Sequence, residues 1–282
     1  MSSPLSLSYG IVSLDETGLQ GMEVATWNVN SIRTRLVHVT DWLQANPVDV
    51  LCLQETKVMD ELFPKQVFES LGYHAYIYGQ KAYNGVALIS KVPLEKVSLG
   101  FSGVLGSELV GDLDDQKRVI AGVLNNTCIV NLYVPNGSSL GSDKYTYKLR
   151  WLALLREYLA ALLGQFERVN VCGDFNIALE DKDIYEPEGK ATHIMSSPME
   201  REALQSVLSL GFKDAFRKFN QESGHFSWWD YRSASFRRNQ GWRIDHHYLS
   251  PALYDQAHRC TIDLEPRKRE QPSDHTPVVV EY

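Results

Sequence analysis

Acids and amides stand where the apolar runs of this chain end, in places where a packed core has no use for them. Asn28 and Asn30 follow MEVATW, Glu55 follows VDVLCLQ, and Tyr133 and Asn136 close TCIVNLYVPN. Asp174 and Asn176 end RVNVCGDFN, Asp245 lies inside WRIDHHYLS, and Asp274-His275 precede TPVVVEY. Strand ends carrying such groups are a usual way to build a site on a rigid sheet. Carboxylates with amides, and no cysteine or histidine cluster, are hard oxygen ligands that suit Mg²⁺ or Mn²⁺ and suit zinc poorly. Asp174 and Asn176, two apart in an extended segment, face the same way, so one can handle a proton while the other holds a ligand. His275 offers a base near neutral pH, and a further carboxylate such as Asp245 can orient it. An ion, a His–Asp pair, a tyrosine and amide donors together are the parts for phosphoester hydrolysis. Each part has a plainer reading when taken alone. SDH can be a turn with a satisfied histidine, GDFN a capped turn, and Tyr133 a core residue; it is their joint order that points to a site.

The elements that must position these groups are short. MEVATWN, VDVLCLQE, GVALIS, RVIAGVLN, TCIVNLYVP, RVNVCGDFN, WRIDHHYLS and PVVVEY read as strands, several of them rich in Val and Ile and bounded by Gly, Pro, Asn or Asp. Helical periodicity covers Ile32 to Asn46 and Tyr145 to Phe166, where Leu149, Leu152, Leu155 and Leu159 recur three or four apart. A third helix opens at Ser197-Pro198 with Glu200 and closes before Gly211. Strands and helices mix without strict alternation, which favours a layered mixed-sheet architecture over a parallel barrel. No repeat or linker is visible. The acidic stretch Glu180 to Glu188 and the Ser/Gly patch Asn136 to Asp143 read as surface loops.

Composition sets the outer bounds. The 282 residues are 44% hydrophobic and 22% charged, which excludes a collagenous, low-complexity or wholly disordered chain. No apolar run approaches a membrane span. The net charge of -7 argues against coating nucleic acid by bulk electrostatics. Yet between Arg201 and Arg243 eight basic residues face four acidic ones, and a basic face on an acidic body can still meet phosphates. Cys52, Cys128 and Cys172 sit in apolar runs and Cys260 stands apart, so a reducing, cytoplasmic compartment is expected. The first 21 residues hold no Lys or Arg, unlike a signal or transit peptide. They are read as a flexible extension before a single catalytic domain over 22–282.

The segments TWNVNSIR, LQETK, NGVALISK, NLYVPNG, GDFN, FSWWDYR, WRIDHHYLS and SDHTPV resemble the exonuclease III family of DNA repair nucleases and AP endonucleases, within the endonuclease/exonuclease/phosphatase superfamily. The resemblance runs from Met22 to Tyr282. It implies an α/β fold, a four-layer αββα sandwich of two packed mixed sheets flanked by helices, with the site at one rim. It implies a Mg²⁺-dependent phosphodiesterase, Mn²⁺ substituting, that acts on double-stranded DNA at 3′ ends, nicks or abasic sites. The alternative is a phosphatase of the same fold acting on inositol or other small phosphates, against which FSWWDYR and WRIDHHYLS speak. By the same resemblance Glu55 is the principal ion ligand, with Asn28, Asp174, Asn176 and Asp274 around the ion. Asp174 handles protons, steadied by Asn176; His275, oriented by Asp245, contacts the scissile phosphate; Tyr133 binds it. Asn136 is a neighbouring phosphate contact, and Phe226 and Trp242 wall a pocket for an extrahelical sugar. Arg118 and Lys81 supply phosphate contacts that position DNA without reading sequence. Asn30 stands where some members carry an acid, which leaves more of the ion's charge to Glu55. His246-His247 beside Asp245 is less usual, and a structural role is expected for it. The loop GKATHIMSSP approaches the target nucleotide in this family, so His193 is expected to narrow the abasic pocket and shift activity toward 3′-end trimming. A monomer without membrane contact is expected.

Overall fold

The eight apolar runs all become strands, and four more polar strands complete the sheets. The computed structural model describes residues 21–282; of the extension expected over 1–21, all but Gly21 lies outside the described residues. The strands are β1 (Glu23–Asn28), β2 (Val50–Gln54), β3 (His74–Tyr78), β4 (Val86–Ser90), β5 (Glu95–Leu99) and β6 (Val119–Leu124). They continue with β7 (Thr127–Tyr133), β8 (Arg168–Asp174), β9 (Lys213–Asp214), β10 (Asp245–Leu249), β11 (Arg259–Ile262) and β12 (Val278–Glu281). One sheet runs β11-β12-β1-β2-β4-β3 and the other β5-β6-β7-β8-β10-β9. Only β1/β2 and β7/β8 are parallel, so the two sheets share one plan. In each sheet a parallel pair is flanked by a hairpin that follows the other sheet's strands in the chain: β5–β6 crosses to the second sheet, and β11–β12 returns to the first.

Burial explains the composition of the strands. β2 and β4 are buried at every position, as strands covered on both faces must be, and read as unbroken apolar runs. Val24, Cys52, Leu88, Ile129, Cys172, Leu249 and Val278 fill the space between the sheets. The outer face of the first sheet packs Trp27, Leu51 and Leu53 against Ile32, Val39 and Leu43 of the Ile32–Ala45 helix. The outer face of the second packs Val130 and Val171 against Trp151, Leu155 and Leu204 of the Asp143–Leu163 and Pro198–Leu208 helices. This is the αββα sandwich. The helix starts follow local chemistry: Ser142 Oγ accepts from the Tyr145 N–H at 3.1 Å, and Ser197 with Glu200 forms a capping box.

Polar bonds cross the interior as well. Gln54 Nε2 donates to Asn131 Oδ1 at 2.7 Å, and Asn131 Nδ2 donates to the carbonyls of Leu53 and Ala87, locking the sheets in register beneath one rim. His247 spans them too, its ring nitrogens 3.2 Å from Asn170 Oδ1 and 3.0 Å from the Val278 carbonyl. His246 points to the opposite face, between the Ile177 carbonyl and Arg243. The four cysteines are free and buried.

The acidic stretch departs from a simple surface loop. Asp183 is fully buried and pairs with Arg217 and with Arg243 Nε, the latter at 2.7 Å, while Arg243 Nη2 pairs with Asp214 at 2.7 Å. Two of the basic residues counted toward the positive segment are therefore neutralised inside the protein. A surface loop is the expectation from sequence; the buried carboxylate is held there because two guanidinium groups pair with it.

Candidate active site

The parallel order of β1/β2 and β7/β8 brings four strand C-termini to one rim, and the antiparallel β10 and β12 begin there. Register makes this concrete: Asn28 pairs with Gln54, Tyr133 with Asp174, and Asp245 with Asp174. Beyond the rim the chain turns sharply. Asn30, Ser31, Glu55, Lys57 and Asn176 all have positive φ, between 43° and 90°. Left-handed backbone at non-glycine residues is costly and collects where side-chain aim matters more than local stability.

Asn28 is the hub. Its Nδ2 donates to Glu55 Oε1 at 2.9 Å and to Asp174 Oδ2 at 2.8 Å, which holds one carboxylate from each sheet at a fixed spacing. Its Oδ1 accepts from the Asn30 N–H, so the amide oxygen is turned from the carboxylates. Oxygens of Glu55 and Asp174 and a nitrogen of His275 all lie within 4.8 Å of one another. His275 Nδ1 donates to Asp245 at 2.9 Å, and Asp245 also accepts from Ser227 Oγ at 2.7 Å. His275 Nε2 faces Asp174 Oδ2 at 3.6 Å. Asp174 Oδ1 accepts from the Asn176 N–H at 2.9 Å.

The charges of these groups follow. Burial raises Asp174, lifting it to about 7 against the pull of His275. Burial alone would lower His275, but the carboxylates of Asp245 and Asp174 override it and raise the imidazole to about 10. Burial also works to raise Glu55, yet Lys57 at 2.9 Å and the Asn28 amide hold it below the ordinary carboxylate range. Tyr133, half-buried and facing Glu55, is pushed well above the usual phenol range by desolvation and by that carboxylate, so it stays a neutral donor.

The remaining expected residues lie at differing distances from this centre. Asp274 accepts from Asn30 Nδ2 at 3.1 Å and from Trp228 Nε1 at 3.0 Å. Asn176 Nδ2 donates to the Val134 carbonyl and its Oδ1 accepts from Asn136 Nδ2 at 3.1 Å, which engages the amide with protein groups. Arg118 stacks on Tyr133, 4.6 Å from the ring, and donates to its carbonyl; it holds the tyrosine. Tyr133, Asn136 and Arg118 line one side of a cavity of about 620 Å³ that opens past Gly137 to Lys144 and Tyr147. Trp242 packs with Trp228, Ile184 and Met195, and exposed His193 lies two residues from Met195 on the same loop.

Phe226 is placed elsewhere. It lines a cavity with Gly224, Trp229, Phe236 and Leu264 that holds none of the catalytic carboxylates. Trp228 is the aromatic at the site, bridged to both Trp242 and His275. Phe226, expected to wall the sugar pocket, stands away from the site, while Trp228, two residues on in FSWWDYR, is not singled out by the sequence. Sequence reasoning also passes over Ser227 and Lys57, although Lys57 stands inside LQETK. Lys57 Nζ bridges Glu55 and Asn30.

The pattern of the Endonuclease/Exonuclease/phosphatase family matches residues 25–275. The chain belongs to this family. Within it the protein is an enzyme of the exonuclease III type. It is similar to the exodeoxyribonuclease III of Haemophilus influenzae, 34% identical over 276 residues that cover 93% of this chain and 100% of the relative. Among solved structures it is similar to the 3′ phosphatase NExo from Neisseria bound to product DNA hairpin. The identity is 39% and the TM-score 0.88, over 93% of this chain and 99% of that one. An AP endonuclease from Archaeoglobus fulgidus is 37% identical with a TM-score of 0.86, over 92% of this chain and 98% of that one. Members of the exonuclease III group thus match the chain along its length, and the rim described above lies wholly inside the matched span.

Proposed function

We propose that this chain is a Mg²⁺-dependent DNA repair phosphodiesterase that hydrolyses phosphoesters at DNA 3′ ends and on the 5′ side of abasic sites. The observation that carries the reading is the meeting of Glu55, Asp174 and an Asp245-bound His275 at one rim. The likeness to a 3′ phosphatase seated on a DNA hairpin supports the substrate class. His275 Nδ1 is spent on Asp245 and flanking carboxylates hold the ring protonated, so the imidazole is a donor and an ion falls to oxygen ligands. The carboxylate oxygens of Glu55 and Asp174, spaced by the Asn28 amide, would hold Mg²⁺, with Mn²⁺ as a substitute. When bound, the ion supplies positive charge against the charge gathering on the phosphate oxygens.

The chain's own residues do the rest. His275, held by Asp245, presents Nε2–H to a phosphate oxygen, and the Tyr133 hydroxyl donates from the other sheet. Asp174, poised near neutrality, takes or gives a proton, and Asn176 keeps its Oδ1 in place. Asn136 donates on the phosphate side. Trp242 and Trp228 wall the pocket for an extrahelical sugar. Among the described residues no helix is long and apolar enough to cross a membrane; we place the enzyme in the cytoplasm as a monomer with one catalytic domain over 22–282.

The test is a labelled duplex panel containing an internal abasic analogue, a 3′-phosphate and a recessed 3′-hydroxyl, run in Mg²⁺, Mn²⁺ or EDTA. Cleavage that needs metal and is lost in Asp174→Ala supports the reading. No cleavage of any DNA refutes it and turns attention to inositol phosphates. On the same panel His193→Gly raises abasic incision relative to 3′-phosphate removal; an unchanged ratio removes His193 from the pocket.

A further inference from the structure

The Asp143–Leu163 helix buries one ammonium, Lys148, with no exposed surface. Its three hydrogens have three acceptors: the Asn136 carbonyl at 3.1 Å, the Asn176 carbonyl at 2.8 Å, and Glu200 Oε1. Glu200, equally buried on the Pro198–Leu208 helix, is saturated in turn. Oε1 also accepts from the Met195 N–H at 3.0 Å, and Oε2 accepts from the Ser197 N–H and hydroxyl at 3.1 and 2.6 Å.

A buried ion pair is a poor way to gain stability, since an apolar pair of similar volume packs as well or better. What it does here is specific. Asn136 and Asn176 have both left their strands, so their carbonyls have no ladder partner, and Lys148 supplies the hydrogen bond to each. Their side chains are bonded to each other, and the Lys148 stem lies against Gly137, whose φ of +90° sets the turn.

We infer that Lys148, anchored by Glu200, is a positioning residue for the reaction: it fixes the backbones of Asn136 and Asn176 and ties both to the 193–197 loop. This rests on the reading proposed above, in which the two asparagines serve the phosphate. The ammonium touches no reacting atom. It sets where the amides stand, and through Asn176 where Asp174 points.

The experiment is a thermodynamic cycle. Lys148→Met with Glu200→Gln keeps volume and removes both charges, so no charge is left buried alone. Misplacing the amides by about 1 Å lowers kcat about 100-fold, with KM changed far less. In an Asn136→Ala/Asn176→Ala background the same pair of substitutions costs under about threefold, because the groups it positions are gone. A pair that only stabilises the fold gives equal factors in both backgrounds, and that result overturns the proposal. Amide exchange gives a readout free of activity: residues 134–138 and 175–178 exchange faster in the neutral pair while the centre of β7 does not. Unchanged exchange there also overturns it. Should the neutral pair fail to fold, Lys148→Arg goes through the same cycle under the same criterion. Wild-type protein inactive on every DNA refutes the functional reading, and exchange then decides the clamp by itself.

Discussion

Asp245→Asn isolates the part of the site that is most fully constrained. Asp245 is buried and accepts from His275 Nδ1 at 2.9 Å and from Ser227 Oγ at 2.7 Å. An asparagine of the same shape still accepts from Ser227 but meets His275 without charge. Hydrogen bonds to charged groups are worth about 1.5–3 kcal/mol, and each ~1.4 kcal/mol is tenfold in rate. If the bond is made in the transition state, kcat falls about 10- to 100-fold while substrate affinity holds. Single-turnover cleavage of a 3′-phosphate duplex at saturating Mg²⁺ measures this, with thermal unfolding as the check on the fold. Ser227→Ala, which removes a neutral donor, lowers the rate less than Asp245→Asn does. A rate for Asp245→Asn within about threefold of wild type, in a folded protein, refutes the claim that the carboxylate orients and charges the imidazole.

Other outcomes follow from the same geometry. His246 is lowered to about 4, first by burial and then by Arg243, so the unfolded chain binds its proton more readily. Its stabilising contribution is whole above about pH 6.5 and is lost as pH falls toward 4, roughly 3 kcal/mol by linkage. Denaturant midpoints measured across that window show the loss, and His246→Gln flattens the slope. Gly173→Ala places a Cβ 1.9 Å from the Leu132 carbonyl oxygen, inside the β7/β8 ladder. The strain costs about 2–4 kcal/mol, or roughly 4–8 °C in Tm; a Tm within a degree or two contradicts it. Mg²⁺ raises the Tm of the wild type, and Glu55→Gln abolishes that rise, as a melting series with and without EDTA reads directly.

Reading the sequence recovers the interior of this fold and loses its margins. The eight strands visible in the sequence are the inner ones, where burial on both faces writes unbroken Val, Ile and Leu. The four that escape, β3, β5, β9 and β11, are the four sheet edges, half-exposed and written in residues such as EKVSL and RCTI. The shared plan of the two sheets leaves no repeat in the chain, because backbone pairing reproduces a topology without reproducing side chains. At the site, strand ends betray Asn28, Glu55, Asp174 and Asp245, since an acid or amide there has no packing excuse. Trp228 escapes because FSWWDYR forms no regular strand whose alternation would say which aromatic turns to the rim. Lys148 lies in a helix rich in leucine, where one lysine reads as a solvated position; its burial depends on Glu200, 52 residues on.

The trading of hairpins between sheets has a consequence for a chain still being made. Glu55 and His275 stand on the first sheet, Asp174 and Asp245 on the second, and His275 immediately precedes β12, the last of the described strands to leave the ribosome. Until β12 pairs with β1, the first sheet lacks its histidine and the second holds carboxylates with nothing to work against. Half-made or half-melted protein therefore carries no competent fragment. If the proposed activity on DNA holds, it arrives only with the last of the described strands.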